Sequence, residues 1–485
     1  MEPKYVAAIE IGSSKIKGIV ASVDATAGIT VLAVEESPTA DSVRYGRVQN
    51  AREVGSLVDD IIRRLENNPL LGQRPLTAVF VANGGRSLSS SAAEATVRQG
   101  ADAEVTAQTL ERLHKEARYN LATDRDVLAI APRRYYADNT EVKKIVGSFG
   151  NVIRGEFTFI TASPENKRNL DRVEISSHGE RIGREYITRL LAQTEMALTD
   201  SDRQLGCVYV DFGAETTTVA VFRDGALQMA RTLPMGSSNI TRDLCVGLSM
   251  TEDTAEHLKC TKGQAMADRI NIEAPDAETR EIINFVSARA GEIIANINHT
   301  VSEAGFKAAD LPAGIVISGG GSRLKGFNDM LEQQTRMKVR SAAVDRSIRV
   351  QMPHVNGADH FDVIALVKYA AAHSDMTCLG EAPVAAPQTS AAGRTAAVAA
   401  ETVADPAPAR VGQTGRRSIS ENDPGLLKDD LDEPLDQPDN INGDDDPYSD
   451  DLPSQGKTPN DTRRRLLDKF KNWFTQPADD DVDVD

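Results

Sequence analysis

Two short segments combine an acidic residue, a glycine and hydroxyl side chains, as a phosphate-binding turn requires. The first is Ile9-Glu10-Ile11-Gly12-Ser13-Ser14-Lys15, and the second is Val210-Asp211-Phe212-Gly213-Ala214-Glu215-Thr216-Thr217. Glycine lets the backbone approach an anion closely, and successive N–H groups in such a turn form a concave anion site. The preceding acid would hold Mg²⁺, mostly through water, because this ion keeps much of its hydration. One such segment alone is more often an ordinary tight turn, but two of them, together with the third motif described next, predict related halves that clamp one nucleotide.

A third glycine motif follows a buried strand in the later part of the chain. Residues 314–318 are apolar and β-rich, Gly319, Gly320 and Gly321 come next, and a helix is predicted through Gln334. Bare backbone after a strand permits flat contact with a nucleobase or ribose, and a helix N-terminus suits phosphate. The chain contains neither GxGxxG nor GxxxxGK[ST], so the dinucleotide and P-loop motifs are excluded.

The elements around these motifs are those of a layered α/β protein. Residues 5–11 and 16–23 are predicted to pair as a hairpin, and the helical spacing of residues 50–65 precedes a short strand at 77–82. Further helices are predicted at residues 186–198, 240–248, 281–304 and 361–372.

Residues 83–160 interrupt this succession of strands and helices. A helix is predicted at 107–117, and separate strands at 127–130, 133–136 and 156–160 surround a glycine-containing loop. We interpret the segment as an inserted subdomain, and a simple continuation of the first domain is the alternative.

Charge and cysteine content narrow the class of protein. The formal net charge is −17, but residues 421–451 hold thirteen acids against one base, so most of the chain is nearly neutral and its charge indicates no nucleic-acid partner. The four cysteines form no CxxC pair, as expected for reduced thiols in the cytosol. No leader-like apolar segment and no membrane-spanning apolar run occurs.

The last hundred residues differ in composition from the rest. Residues 381–460 are rich first in Ala and Pro and then in Asp, which predicts a disordered linker. Residues 461–476 have the pattern of a basic amphipathic helix too short to cross a bilayer, and 477–485 form an acidic tail whose role we do not explain. The predicted membrane-binding residues are Arg464, Arg465, Leu466, Leu467, Lys469, Phe470, Lys471, Trp473 and Phe474. Docking on the body of the protein or in a calmodulin-like groove is the alternative.

These features together resemble the FtsA family of bacterial cell-division proteins, within the actin, Hsp70 and sugar-kinase superfamily. The resemblance extends over most of residues 5–380 and rests on residues 10–15, 43–48, 134–147, 198–213, 255–259 and 317–322. The basic C-terminal helix after a variable linker is also typical of the family. The resemblance implies an actin-like two-lobed ATPase fold of the α/β class, with an inserted 1C-type subdomain, a disordered linker and a C-terminal amphipathic helix.

The resemblance also divides the chain and assigns its site. Residues 1–82 begin lobe 1, 83–160 form the 1C-like insert, and 161–380 complete the body with lobe 2. ATP would lie between the lobes, on Gly12, Ser13, Ser14, Lys15, Asp211, Gly213, Ala214, Glu215, Thr216, Glu256, Lys259, Gly319, Gly320, Gly321 and Ser322. Glu10 and Asp211 would orient Mg²⁺ through water, and Glu256 and Lys259 would contact ribose and adenine. No catalytic residue is assigned.

The family further implies partners and a location. Such a protein polymerises on the inner face of the cytoplasmic membrane at the division septum, tethers the tubulin-like protein FtsZ there and helps recruit later division proteins. Ala214-Glu215 replaces the usual glycines of the second hairpin, so at most a weak ATPase is expected. The alternatives are an actin-like scaffold for another membrane machine and a small-molecule kinase.

Overall fold

A computed structural model describes residues 3–381, except residues 25, 27, 102, 269–275 and 353–354. The strands are β1 (Lys4–Ile11), β2 (Lys15–Asp24), β3 (Gly28–Pro38), β4 (Val43–Arg44), β5 (Arg47–Val48), β6 (Ala78–Asn83), β7 (Ser89–Arg98), β8 (Asp126–Ala137), β9 (Thr140–Glu141), β10 (Val152–Ala162), β11 (Ser176–Ser177), β12 (Glu180–Arg181), β13 (Gly183–Thr188), β14 (Cys207–Phe212), β15 (Thr217–Arg223), β16 (Ala226–Leu233), β17 (Ile315–Ser318), β18 (Val339–Ser341) and β19 (Arg349–Val350).

Helices alternate with these strands along most of the described chain. They are α1 (Ala51–Glu66), α2 (Ala107–Asn120), α3 (Pro164–Asp171), α4 (Arg189–Ala197), α5 (Asp200–Leu205), α6 (Ser237–Leu248), α7 (Glu252–Thr261), α8 (Ala277–Glu303), α9 (Phe327–Thr335) and α10 (Phe361–His373). Short 3-10 turns cover Pro69–Leu71, Ala308–Asp310 and Gly320–Arg323.

The first half of the body is built on a six-stranded sheet in the order β13-β6-β1-β2-β3-β19. Strands β1 and β2 pair antiparallel from Lys4↔Val23 to Ile11↔Ile16, which confirms the predicted first hairpin. Helix α1 lies close on β2, because Gly18 leaves no room for a side chain: a Cβ there would lie 2.4 Å from the Ile61 Cγ2. The sheet therefore holds the first glycine turn on a buried, tightly packed base.

The second half is built on five strands of a larger sheet, in the order β18-β17-β14-β15-β16. Strands β14 and β15 form an antiparallel hairpin from Cys207↔Phe222 to Phe212↔Thr217, so the second predicted hairpin is also confirmed. Strand β17, which ends at the three glycines, runs parallel beside β14. The second hairpin and the glycine motif thus end at the same edge of one sheet.

Residues 83–160 contribute strands to this larger sheet rather than a sheet of their own. Its order continues β16-β7-β10-β8-β9, and β7 joins β16 through the pair Arg231↔Ser89. The strands β7 to β10 and helix α2 bury a separate apolar cluster that includes Leu113, Ile153, Phe157 and Phe159. The two strands predicted at 127–130 and 133–136 are one continuous strand, β8, because β10 pairs along its whole length with bulges.

The helix predicted to begin at residue 186 begins later. Residues Gly183–Thr188 form β13, which pairs parallel with Ala78–Asn83 of β6, and α4 begins at Arg189. The apolar spacing of this segment suits a buried strand as well as a helix, and pairing with β6 decides between them.

The last described residues are hydrogen-bonded to the first strand of the chain. The N–H of Cys378 donates to the carbonyl of Tyr5 (2.8 Å), and the N–H of Thr77 donates to the carbonyl of Cys378 (2.9 Å). The predicted linker, terminal helix and acidic tail lie outside the described residues. Within residues 3–381 as described, no helix has both the length and the apolar content to cross a membrane.

Candidate nucleotide-binding cleft

The first glycine turn is closed by a backbone bond between its ends. The N–H of Gly12 donates to the carbonyl of Lys15 (3.0 Å), and a Cβ on Gly12 would lie 2.8 Å from that oxygen. The Ser13 hydroxyl accepts a hydrogen bond from the N–H of Gly46 (2.7 Å), which ties the turn to the loop between β4 and β5. Glycine is required here because a side chain would break the closing contact.

The second turn repeats this construction. The N–H of Gly213 donates to the carbonyl of Thr216 (2.9 Å), as Gly12 does to Lys15. The first N–H groups of α6 are bound to the same turn: Ser237 donates to Gly213 (3.0 Å) and Ser238 to Ala214 (2.7 Å). Helix α6 therefore fixes the orientation of the second turn.

Glu215 points away from the space between the two turns. It is 5% exposed, and its carboxylate accepts a hydrogen bond from the N–H of Tyr45 (2.6 Å). It also pairs with Arg242 of α6 and with Arg44 of the first half (3.2 Å). Two guanidinium groups thus compensate the charge that would repel phosphate, and a backbone N–H binds the same carboxylate, so this departure from the glycine-rich family pattern does not put a free carboxylate beside the cleft.

The helix α7 contributes a buried lysine and a glutamate. The Lys259 ammonium donates to Glu256 (2.7 Å), to the Thr241 hydroxyl (3.0 Å) and to the carbonyl of Ser237 (3.2 Å). Burial raises the pKa of Glu256, but the hydrogen bonds from Lys259 and Thr241 outweigh it, so the pKa lies below its usual value. Both charged groups are therefore held in place without a ligand.

The three glycines after β17 differ in what surrounds them. Gly319 has a φ of +87°, and a Cβ there would lie 2.3 Å from the carbonyl oxygen of Phe212. A Cβ on Gly321 would lie 2.7 Å from the Phe212 ring, whereas Gly320 faces open space. Ser322 turns back, and its hydroxyl donates to the carbonyl of Gly319 (2.7 Å). The motif thus presents bare backbone because the β14 strand lies directly behind it.

A buried ion-pair cluster lies between the two turns. The guanidinium of Arg189 contacts the Glu10 Oε1 (3.2 Å) and the Asp211 Oδ2 (3.3 Å). Gln193, one turn later on α4, donates to the same Asp211 oxygen (3.3 Å), and Ser318 donates to the other (3.4 Å). Burial lowers the pKa of Arg189, but Asp211 and Glu10 raise it by more, so this side chain is a permanent cation.

Glu10 is in a different situation from Asp211. Its Oε2 is buried and receives no hydrogen bond from a protein donor, and the Glu10 carboxyl lies within hydrogen-bond reach of the Asp362 carboxyl. Burial raises the pKa of Glu10 well above its usual range, and nearby Asp362 raises it further. The ammonium of Lys17 contacts Asp362 (2.6 Å). Burial alone would raise the pKa of Asp362, but the charge of Lys17 and the hydrogen bonds to this carboxylate lower it below its usual value.

The fit of Mg²⁺ to Glu10 and Asp211 can be judged from these contacts. Both Asp211 oxygens already accept from protein donors, and the Glu10 carboxyl lies against Asp362. Among the described residues, no group of three or more His, Cys, Asp or Glu side chains is arranged to hold a metal. Glu10 and Asp211 thus form ion pairs with Arg189, and their role in orienting Mg²⁺ stays a prediction.

One cleft of about 860 Å³ joins these parts, a volume suited to a small-molecule ligand. It brings together most of the predicted nucleotide-binding residues: Gly12, Ser13, Ser14, Lys15, Asp211, Gly213, Ala214, Thr216, Glu256, Lys259, Gly319, Gly320 and Gly321, with Glu10 beside them. Glu215 and Ser322 do not line it. Sequence reasoning missed Lys17, Arg189, Gln193 and Asp362. Arg189 and Gln193 lie inside the helix predicted at 186–198, and nothing in its local pattern indicates their distant partners.

Comparison with known proteins agrees with this architecture. A solved structure titled "PilM-PilN type IV pilus biogenesis complex" has a TM-score of 0.51 at 14% identity, covering 76% of this chain and 96% of that one. Residues 208–374 match the family described as "Cell division protein FtsA". The chain is 29% identical over 360 residues to the cell division protein FtsA of Porphyromonas gingivalis, covering 70% of this chain and 73% of the relative. For the Neisseria meningitidis protein the identity is 26% over 378 residues, covering 74% and 89%.

The fold and the two matched turns define an actin-like protein of the α/β class. The predicted fold class is therefore confirmed. Within that class, the chain is a relative of the cell division protein FtsA, as its sequence predicted.

Proposed function

We propose that this actin-like cell-division protein binds ATP with Mg²⁺ in the cleft, polymerises, and tethers a tubulin-like FtsZ homologue to the inner face of the cytoplasmic membrane. It would thereby help to recruit later division proteins to the septum. The role in cell division follows from its FtsA relatives. The nucleotide, the membrane and the partners are the parts that we propose.

One observation carries the nucleotide proposal: two turns of identical construction face the same cleft. In each, a glycine N–H closes on the carbonyl three residues later, from Gly12 to Lys15 and from Gly213 to Thr216. The chain thereby presents N–H groups and hydroxyls from both halves to one anion, as a nucleotide phosphate chain requires. Gly319 to Gly321 offer bare backbone at the same strand edge, where a base can lie flat.

Cationic side chains line the cleft, most of them paired with an acid that also lines it. Lys15, Lys17, Arg189 and Lys259 all line the cleft, and Lys259 is buried. When bound, Mg²⁺ would supply screening of the phosphate charges, and Glu10 and Asp211 would be the acids that face its waters. The chain's own groups orient the phosphates and exclude solvent.

The membrane proposal rests on the sequence of residues 461–476. A helix over these sixteen residues would be about 24 Å long, short of the roughly 30 Å hydrocarbon core, so it would lie in the headgroup region rather than span the bilayer. Each basic residue near anionic lipid contributes about 1 kcal/mol, so one helix binds modestly. Polymerisation would place many such helices side by side and raise the overall affinity.

The nucleotide proposal is tested by titrating ATP into the full chain and into Gly12→Ala. The added methyl would lie 2.8 Å from the Lys15 carbonyl and open the turn, so we expect affinity to fall at least about tenfold. Gly100→Ala is the matched control, because a Cβ there meets nothing within 4 Å. Absence of ATP binding by the unaltered chain would overturn the proposal.

The membrane proposal is tested by sedimentation with anionic liposomes in the presence of ATP. We expect the full chain to pellet, and a chain truncated after Asn460 and the variant Trp473→Glu to stay in solution. Co-sedimentation with FtsZ filaments then tests the partner. Equal pelleting of all three chains would show that the tail is not the membrane anchor.

A further inference from the structure

Arg189 lies where the sequence pattern leads one to expect a metal ion. The two acids that precede the glycine turns, Glu10 and Asp211, both contact its guanidinium, at 3.2 and 3.3 Å. The side chain is 16% exposed and lines the cleft. A cation supplied by the protein therefore already bridges the pair.

The position of Arg189 in the fold holds its guanidinium in place. Arg189 is the first residue of α4, which begins where the parallel strand β13 ends. Gln193 lies one turn further along the same helix face and donates to Asp211 at 3.3 Å. Ser318 donates to the second Asp211 oxygen, and its hydroxyl contacts Tyr209 (2.6 Å). Both Asp211 oxygens therefore already accept from protein donors, and the Oδ2 is shared by Arg189 and Gln193.

The balance of charge in the cluster depends on this one residue. Lys17 pairs with Asp362, which leaves Glu10 and Asp211 for Arg189. Without the guanidinium, the buried Asp211 carboxylate and the Glu10 carboxyl beside it would face the phosphates of a nucleotide with no cation between them. Carboxylates in a buried site repel an anion strongly unless a cation compensates them.

We propose that Arg189 is the resident cation of the cleft, and that it removes the need for Mg²⁺ between Glu10 and Asp211 when a nucleotide binds. Mg²⁺ can still accompany the nucleotide on its phosphates, but the affinity of the protein for ATP does not depend on it. This inference rests on the proposed ATP binding, and it concerns how the same cleft meets the charge of its ligand.

The test is calorimetric titration of ATP into the full chain, once with Mg²⁺ and once with EDTA. For the unaltered protein we expect the two dissociation constants to agree within about threefold. For Arg189→Gln we expect binding in EDTA to weaken at least about tenfold, and Mg²⁺ to restore much of it, because a mobile cation then replaces the lost one. Arg189→Lys keeps the charge and should retain binding in EDTA.

Arg289 provides a matched control. Its guanidinium also bridges two carboxylates, Asp243 (2.6 Å) and Glu292 (2.6 Å), and it is 17% exposed, but it does not line the cleft. Arg289→Gln should therefore lower stability without changing the effect of EDTA on ATP affinity. This variant separates loss of a buried ion pair from loss of the cation in the cleft.

Two results would overturn the inference. One is a loss of ATP binding by the unaltered chain in EDTA, a comparison that needs no variant to fold. The other is an Arg189→Gln protein that binds ATP like the unaltered chain under both conditions. If the unaltered chain binds no ATP with Mg²⁺ or without it, the proposed function fails and takes this inference with it, so the two failures are distinguishable.

Discussion

The carboxylate of Glu215 accepts a hydrogen bond from the backbone N–H of Tyr45 at 2.6 Å, which joins the second glycine turn to the first half of the body. The guanidinium of Arg242 holds the same carboxylate from α6. Replacing Glu215 with Ala removes the shared acceptor and leaves the Tyr45 N–H without it. We expect Glu215→Ala to lower the free energy of unfolding by about 1–3 kcal/mol in urea titrations.

Glu180→Ala, at an exposed position of β12, is the control for Glu215→Ala and should leave stability nearly unchanged. Equal stability of the two variants would show that the bond between the halves contributes little.

Adjacent glycines after β17 should differ sharply in their tolerance of a methyl group. Gly319→Ala places a Cβ 2.3 Å from the Phe212 carbonyl at a positive φ, while Gly320→Ala meets nothing within 4 Å. We expect the first variant to lose more than about 1 kcal/mol of stability and the second to remain close to the unaltered chain. Thermal unfolding of both proteins checks this, and similar melting temperatures would contradict it.

Stability should fall in acid partly because of Asp345. Hydrogen bonds from the Ser347 N–H and from Lys368 lower the pKa of Asp345 to about 2. A carboxylate with a depressed native pKa stabilises the fold above its unfolded pKa, near 4, and loses that contribution as the pH falls toward 2. Asp345→Asn should therefore show a smaller loss of melting temperature over this interval.

Lys368→Met provides the graded comparison for Asp345, since it removes one donor (3.0 Å) and keeps the backbone bond. Its acid dependence should lie between those of the unaltered chain and Asp345→Asn. Parallel pH profiles for all three proteins would exclude Asp345 as a source of the acid sensitivity.

A cavity made in the apolar cluster of residues 83–160 should destabilise that segment and leave ligand binding in the cleft unchanged. Phe157 is fully buried and meets His114 and Phe159 edge-on, with ring centroids 5.2 and 6.3 Å apart. Phe157→Ala should cost about 3–5 kcal/mol locally. Hydrogen exchange should quicken in β8 and β10, and ATP affinity should stay the same.

Phe149→Ala is the matched change for Phe157→Ala, because Phe149 belongs to the same segment and is 65% exposed. It should leave exchange in these strands unchanged. Faster exchange throughout the body, rather than in this segment, would contradict a locally independent cluster.

Local signals in the sequence were enough for the glycine turns and most helices. Gly12 and Gly213 follow β-rich runs, and the hairpins they close depend on residues only a few positions apart. The spacing of residues 50–65 likewise predicted α1 to within one residue. Such features depend only on residues that are close together in the sequence, so they can be predicted without knowledge of the fold.

Long-range pairing was not accessible in the same way. Strand β13 is a strand because β6 lies beside it, more than a hundred residues earlier in the chain. Arg189 acquires its place between Glu10 and Asp211 only once β13, β1 and β14 are assembled. Its ion pairs join residues far apart in the chain, so no spacing rule could reveal them.

The backbone hydrogen bonds that join Cys378 to Tyr5 and to Thr77 have a mechanical consequence. The chain leaves the described body at residue 381, directly after backbone bonds from Cys378 to Tyr5 and from Thr77 to Cys378. Tension applied through the following residues would load those bonds and the central strands β1 and β6 first. Such a pull would therefore enter the body through the sheet of the first half, because Tyr5 lies on β1 and Thr77 directly precedes β6.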